Sequence, residues 1–303
     1  MKITWRPGAA APGGAALQQH PAYAAALAAL GREARVALFP SGARALTLQR
    51  PLGRLGGAAL TSRADIAAEE MAALHRALPF GPLRALIATP DTAQELGAAG
   101  FAPVRTPLHL AELDLARPEL LRRAAAAQKW RNRLRKAEAE PLKIRRRALP
   151  PDPAHPALIE EALQRRARGY KGLPPRFAAA FASANPGGAM LFEALHRGAP
   201  VAHMLFLLHA PGATWFLGWS GPEGRARNAH NLLLWRAAEW LADQGCTTLD
   251  LGPVDTETHP DLARFKLGSG AAPRPLGATW IRAPGSALFA PRAHQRRSTL
   301  VAS

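Results

Sequence analysis

Phe216-Leu217-Gly218-Trp219-Ser220-Gly221-Pro222-Glu223-Gly224-Arg225-Ala226-Arg227-Asn228-Ala229-His230-Asn231-Leu232-Leu233-Leu234-Trp235 reads as a strand end, a glycine-rich loop and the start of a buried helix. The loop, Ser220–Ala229, leaves a strand at Thr214–Trp219 and enters a helix from His230 or Asn231 to Gln244. That helix is apolar almost all round, which places it in a core. Gly245 stands at its C′ position, where a left-handed residue ends a helix. Cys246–Leu251 follows as a strand that carries Asp250 and ends at Gly252. Gly252–Asp261 reads as a loop, and Leu262–Leu267 as short helix or extended chain before Gly268. Amides at a helix N-terminus attract anions, and Arg225 and Arg227 add charge-assisted donors. The plainer reading of the same loop is a solvated connector, with Asn228 or Asn231 as an ordinary cap.

Upstream of this unit, Met190–His196, Val201–His209 and Thr214–Trp219 form a meander. Leu142–Ala148 is a strand, and helices are expected at Pro156–Arg168 and Arg176–Ala184. From Glu119 to about Ala139, Leu120, Ala124, Ala127, Trp130, Leu134 and Ala137 recur at helical spacing. The first half repeats this order in outline. It has strands at Ile3–Trp5, Ala34–Phe39, Ala43–Gln49 and Leu83–Ala88, and a strand over Phe101–Leu115 with a kink at Pro107. Its helices are expected at Tyr23–Leu30, from Asp65 to Leu78 and at Asp91–Ala99, with Pro51–Gly57 as a glycine-rich loop. Leu276–Arg282 is the last strand. Neither half alternates strand and helix strictly, which excludes a doubly wound sheet. The expectation is an α/β (α+β) protein with a mixed sheet used twice, divided as 1–116, 117–290 and a basic flexible tail at 291–303.

Composition narrows the class. The chain has 303 residues, 48% of them hydrophobic, enough core for two domains. No apolar run reaches the roughly 18 residues of a membrane span. The opening residues run into Pro7, Gly8, Pro12 and Gly13 and do not read as a signal peptide. One cysteine, Cys246, allows no internal disulfide, and a cytoplasmic protein is expected. The net charge of +17 favours a polyanionic partner. Residues 120–147 hold eleven basic side chains against Glu138 and Glu140, so this segment alone carries over half of the excess. A solvated helix face accounts for the segment as well as a nucleic-acid or anionic-lipid surface does. The weak Ala-rich stripe argues against stable membrane insertion. Trp130 is the one aromatic residue interleaved there, which argues against single-strand stacking.

Two residues near the opening unit stand out chemically. Asp250 lies between Leu249 and Leu251, where a carboxylate needs a partner or a cleft. Its plainer reading is a salt bridge. Lys266 is one of only six lysines in an arginine-rich chain, and its point charge is not interchangeable with a guanidinium. Asp255, Glu257, His259 and Asp261 make a polar loop with the makings of a general base. Their spacing matches no metal-ligand pattern, and no metal is expected.

The order Asn231, Leu233 or Leu234, Trp235, Gly245, Asp250-Leu251-Gly252 and Phe265-Lys266 before Gly268 resembles the FemAB-like branch of the GNAT acyltransferases. The basic helix Arg131–Ala137 is similar to the one that opens that family's second domain. The likeness covers roughly 120–285, and the first half matches only in element order. It implies two GNAT-like domains in tandem, each a mixed central sheet flanked by helices, the second carrying the acyl donor. The implied activity is N-acyl transfer from acyl-CoA, acetyl-CoA among the candidates, to a small-molecule or peptide amine. The alternative within the family is aminoacyl transfer from tRNA. A reading of another class is a non-catalytic nucleic-acid binder that uses 120–147. By resemblance, Lys266 stabilises the oxyanion, and Arg225, Arg227, Asn228, Ala229, His230 and Asn231 form the donor loop. Asp250, Glu193 or a carboxylate of the 252–261 loop is then expected to help remove the amine proton. The family's pyrophosphate loop has glycine where Asn228 stands, so the resemblance leaves the donor open. No tyrosine follows Asp250 to serve as the acid.

Overall fold

The computed structural model describes residues 2–169 and 172–289. The basic tail expected at 291–303 lies outside them. The first sheet is built from β1 (Thr4–Pro7), β2 (Ala34–Leu38), β3 (Arg44–Pro51), β4 (Gly56–Ala64), β5 (Leu83–Pro90) and β6 (Ala102–Arg105). The second takes β7 (His109–Asp114), β8 (Lys143–Ala148), β9 (Ala189–His196), β10 (Ala199–His209), β11 (Gly212–Ser220), β12 (Thr248–Val254) and β13 (Ala272–Pro275). The last strand, β14 (Thr279–Arg282), returns to the first sheet.

The strand orders are β1-β2-β3-β4-β5-β14-β6 and β13-β7-β12-β11-β10-β9-β8. Reversing the second order superimposes the two position by position. In each sheet one pair is parallel, β4 with β5 and β11 with β12, and the other pairs are antiparallel. This is the mixed sheet used twice that the sequence led us to expect. The sheets also exchange strands, because β7 sits between β12 and β13 while β14 sits between β5 and β6. By sequence the division after residue 116 leaves β7 with the first half, yet its hydrogen bonds lie in the second sheet.

Several expected elements take another form, each for a local reason. The single strand at Phe101–Leu115 is two strands in different sheets. Pro107 has no N–H for a ladder, and the chain crosses there. The last strand, expected over Leu276–Arg282, is shorter, because 276–278 form the crossing from β13, which the sequence reading lacked, to β14. The two crossings touch through Leu276 N–H and Leu108 O at 2.8 Å. Pro51–Gly57 runs into β4, a strand absent from the sequence reading. Glycine is required at Gly57 because a Cβ there would overlap the Phe80 ring. The long helix at 119–139 is two helices, α3 (Glu119–Ala125) and α4 (Gln128–Glu138). Ala126 and Ala127 are extended between them, and the Ala127 N–H donates to Gly268 O. Asp91–Ala99 forms only a 3-10 turn at Gly97–Ala99.

Of the other helices, α1 (Pro21–Ala29) and α2 (Ala68–Ala77) belong to the first half. α5 (Pro156–Arg168), α6 (Pro175–Ala184), α7 (Pro222–Ala226), α8 (Ala229–Asp243) and α9 (Pro260–Gly268) belong to the second. α4 and α8 cover one face of the second sheet around Trp130, Leu134, Phe206, Leu233 and Trp235. The other face shares a core with the first half, where Tyr23, Leu27, Val36 and Leu46 pack with Phe177, Leu205 and Leu217. No helix among the described residues is long and apolar enough to cross a membrane.

Candidate active site

β11 and β12 are parallel partners at only three positions, Gly212–Thr214 against Thr248–Asp250. Beyond Thr214 and Asp250 the strands part, and the opening is bordered by the rest of β11, the N-terminus of α8, the end of β12 and α9. Trp215 and Phe265 meet edge to face across it, with ring centroids 5.9 Å apart. His230 lies against Phe265 and bonds the Trp219 carbonyl through Nε2 at 2.9 Å.

Lys266 points inward from α9 and is 5% exposed. Its Nζ donates to Pro253 O at 2.8 Å and lies 5.8 Å from the centre of the Trp215 ring. Burial pushes its pKa down to about 8, against the opposing pull of Asp250. The ammonium is therefore still the main form at neutral pH. It supplies a desolvated positive charge at the mouth of the opening, the type of group that stabilises a developing oxyanion.

Asp250 lies beside Lys266 with both oxygens engaged. Oδ2 accepts from Arg63 Nη1 at 2.5 Å, and Oδ1 accepts from the Gly252 N–H at 2.6 Å. The salt bridge anticipated as its plainer reading is present, and each oxygen accepts one hydrogen bond. Glu193 sits three strands away from β12, on β9. Arg145 and Arg147 each approach its Oε2 to 2.9 Å. Burial raises the Glu193 pKa, and the two guanidiniums outweigh that effect and hold it below the usual carboxylate value. The fold thus brings Asp250 to Lys266 and places Glu193 elsewhere.

The donor loop is more ordered than its sequence implied, because α7 occupies half of it. Arg225 bonds the Ser220 carbonyl, and Arg227 pairs with Glu140 and Glu223. The amides of Arg225, Arg227, Asn228 and Asn231 donate to Gly221, Glu223, Arg225 and Asn228 carbonyls. Asn228 has φ 52° and ψ 35°. Asparagine tolerates this left-handed region, so the chain turns there as a glycine would allow. Ala229 is buried and opens α8, and the Asn231 side-chain nitrogen is buried without a partner.

The basic segment divides into committed and free charges. Arg122 is buried against the Leu115 and Ala238 carbonyls, Arg123 pairs with Glu138, and Arg146 stacks on Trp240 at 4.7 Å. With Glu140 taken by Arg227, both acids of the segment are neutralised. Among the described residues, Lys129, Arg133, Arg135, Lys136 and Lys143 stay exposed with no acid paired to them. Trp130 is buried and cannot stack on a base.

Arg63, Asp91, Glu112 and Arg274, which surround Asp250, escaped the sequence reading. They come from β4, the end of β5, β7 and β13, and no local pattern joins residues 187 positions apart.

Comparison with known proteins agrees with this architecture. Residues 122–266 match the acetyltransferase (GNAT) domain family. The chain is similar to the crystal structure of FemX at a TM-score of 0.74 and 14% identity, over 95% of this chain and 99% of that one. It is also similar to the C-terminal domain of a putative lysylphosphatidylglycerol synthetase from Agrobacterium fabrum. There the TM-score is 0.52 at 15% identity, over 90% and 91% of the two chains. At these identities the likeness is one of fold. No curated protein matches.

Proposed function

We propose that the chain, which matches the GNAT acetyltransferase domain over residues 122–266 and carries two such sheets in tandem, is an N-aminoacyltransferase that takes its acyl group from a tRNA ester. The observation that carries the transfer step is the buried ammonium of Lys266 where β11 and β12 part. The acceptor amine attacks the ester carbonyl, and Lys266 stabilises the oxyanion that forms. The new C–N bond replaces the C–O bond, and the amine proton ends on the released ribose hydroxyl. Asp250, which lies on the strand beside Lys266, is the carboxylate that relays that proton, whereas Glu193 is held by Arg145 and Arg147 three strands away. Replacing Lys266 by Ala lowers turnover by about 10²–10³-fold, the usual effect of losing one oxyanion donor. Unchanged turnover removes Lys266 from the mechanism.

The tRNA donor is supported by the unneutralised cations on α4 and β8 and by the internal commitments of Arg225 and Arg227. Acyl-CoA is the second reading, favoured by the GNAT domain match and by the left-handed turn at Asn228, which opens α8 beside the transfer site. Two measurements separate them. Filter binding of bulk tRNA across a salt series is expected to show affinity falling steeply with salt. A thermal-shift panel of acyl-CoA thioesters is expected to show no stabilisation. Stabilisation by a thioester without tRNA binding transfers the assignment to acyl-CoA. Salt-sensitive tRNA binding with no transfer activity leaves a nucleic-acid binder.

A further inference from the structure

Arg63 stands in β4 at a break in its ladder with β5, where the register shifts between Ser62 and Ala64. Its φ is 56°, a left-handed conformation that a long side chain adopts only when its surroundings impose it. A bulge re-aims a side chain, and this one sends the guanidinium out of the first sheet into the second. There it is 6% exposed and meets three carboxylates. Nε lies 2.8 Å from Asp91, Nη1 2.5 Å from Asp250 and Nη2 3.5 Å from Glu112. Arg274 on β13 closes the far side, with Nε 2.8 Å from Glu112 and Nη2 3.2 Å from Asp91.

We infer that Arg63 is a positioning residue for the transfer site, linking the first sheet through Asp250 and the Gly252–Pro253 turn to the ammonium of Lys266. The link is a series of hydrogen bonds. Arg63 holds one Asp250 oxygen, and the other oxygen holds the Gly252 N–H. Gly252 has φ 84°, and the next carbonyl, of Pro253, accepts from Lys266 Nζ. Asp91 follows β5 in the same sheet as Arg63, so Glu112 on β7 and Asp250 on β12 make the contacts from Arg63 to the second sheet. A staple serving only to join the sheets leaves the other oxygen of Asp250 idle, whereas here that oxygen holds the turn that seats Lys266. The electrostatics follow the same line. Two guanidiniums face three carboxylates, and Lys266 brings the sixth charge that balances them. The groups that face Lys266 are Asp250 and the Pro253 carbonyl on β12 and the Trp215 ring on β11. α4 meets α9 through Trp130. Behind Asp250 stand Arg63, Glu112, Asp91 and Arg274.

The catalytic meaning of this link rests on the oxyanion role of Lys266, but the link itself is measurable without substrate. With only six lysines, 13C-lysine NMR of the full chain resolves each ammonium, and Lys266→Ala assigns the one in question. In the parent, the Lys266 midpoint is expected at about 8. In Arg63→Gln, Asp250 loses its counter-charge, and the Lys266 midpoint moves up by roughly half a unit or more while the exposed Lys129 and Lys136 stay put. Turnover falls about tenfold with donor affinity unchanged, since a displaced catalytic group loses rate before binding. If Arg63→Gln does not fold, Arg63→Lys carries the test. One ammonium cannot cover three carboxylates, so the midpoint still rises, by a smaller step. An unmoved Lys266 midpoint or an unchanged turnover in a folded variant overturns the inference. Full turnover in Lys266→Ala instead removes the oxyanion role and leaves the measured link intact, so the two failures are distinguishable.

Discussion

An ammonium buried as deeply as that of Lys266 destabilises the fold that holds it. Its folded pKa of about 8 lies below the ordinary value of 10.5. Below about pH 8 the amine is charged in both states, and the full burial penalty applies. Between about 8 and 10.5 the unfolded chain holds the proton that the folded chain has released, so stability rises with pH. Lys266→Met removes the penalty. It is expected to be more stable than the parent at neutral pH by roughly 1–3 kcal/mol, to show no rise over that alkaline window, and to be inactive. Urea melts at neutral and alkaline pH check this. A less stable Met variant at neutral pH means that the bond to Pro253 O outweighs desolvation. Of the candidate site, Lys266 stood out in the sequence as a lysine in an arginine-rich chain. Asp250 was legible as a carboxylate in need of a partner. That partner was not legible, because Arg63 sits on a strand whose glycine-rich start resembles a loop.

At the scale of the element, the α7–α8 turn shows why a motif read by residue type misleads. Asparagine at 228 looked like a departure from a glycine position. The backbone at φ 52° nevertheless follows a path that glycine adopts freely, and the Asn228 side chain makes no capping bond. Asn228→Gly is therefore expected to change stability by only a few tenths of a kcal/mol. Asn228→Val places a β-branched residue in the left-handed region and is expected to lose about 1–2 kcal/mol. Thermal melts of the two variants decide it, and equal losses would mean that the Asn228 side chain has an unseen partner. Helices with clear spacing or caps, such as α5 and α8, were legible to within a residue or two. The α3–α4 break was not, because Ala126 and Ala127 are sound helix formers. They are extended only because the Ala127 amide meets Gly268, 141 positions along the chain.

At the scale of the whole molecule, the strand exchange decides what folds alone. Residues 117–303 lack β7, so β13 loses its partner and β12 becomes an edge. The same fragment keeps β14 without β5 or β6 to receive it. Residues 1–116 carry a β7 with no sheet to join and leave a gap between β5 and β6. Each fragment also exposes half of the core that joins Tyr23, Leu27, Val36 and Leu46 to Phe177, Leu205 and Leu217. Unpaired edges and bare apolar faces drive aggregation. Each fragment expressed alone is therefore expected to be insoluble or to melt without a cooperative transition, although each is long enough for a domain. Co-expressed, the two fragments are expected to copurify as one species, since β7 and β14 then find their sheets in trans. Gel filtration with mass spectrometry reads the stoichiometry, and circular dichroism reads the melt. A monomeric 117–303 fragment with a cooperative melt shows that the second sheet closes without β7. In that case the exchange ornaments two independent domains. If instead only the pair folds, the sheet bearing Arg63 and the sheet bearing Lys266 form a single folding unit.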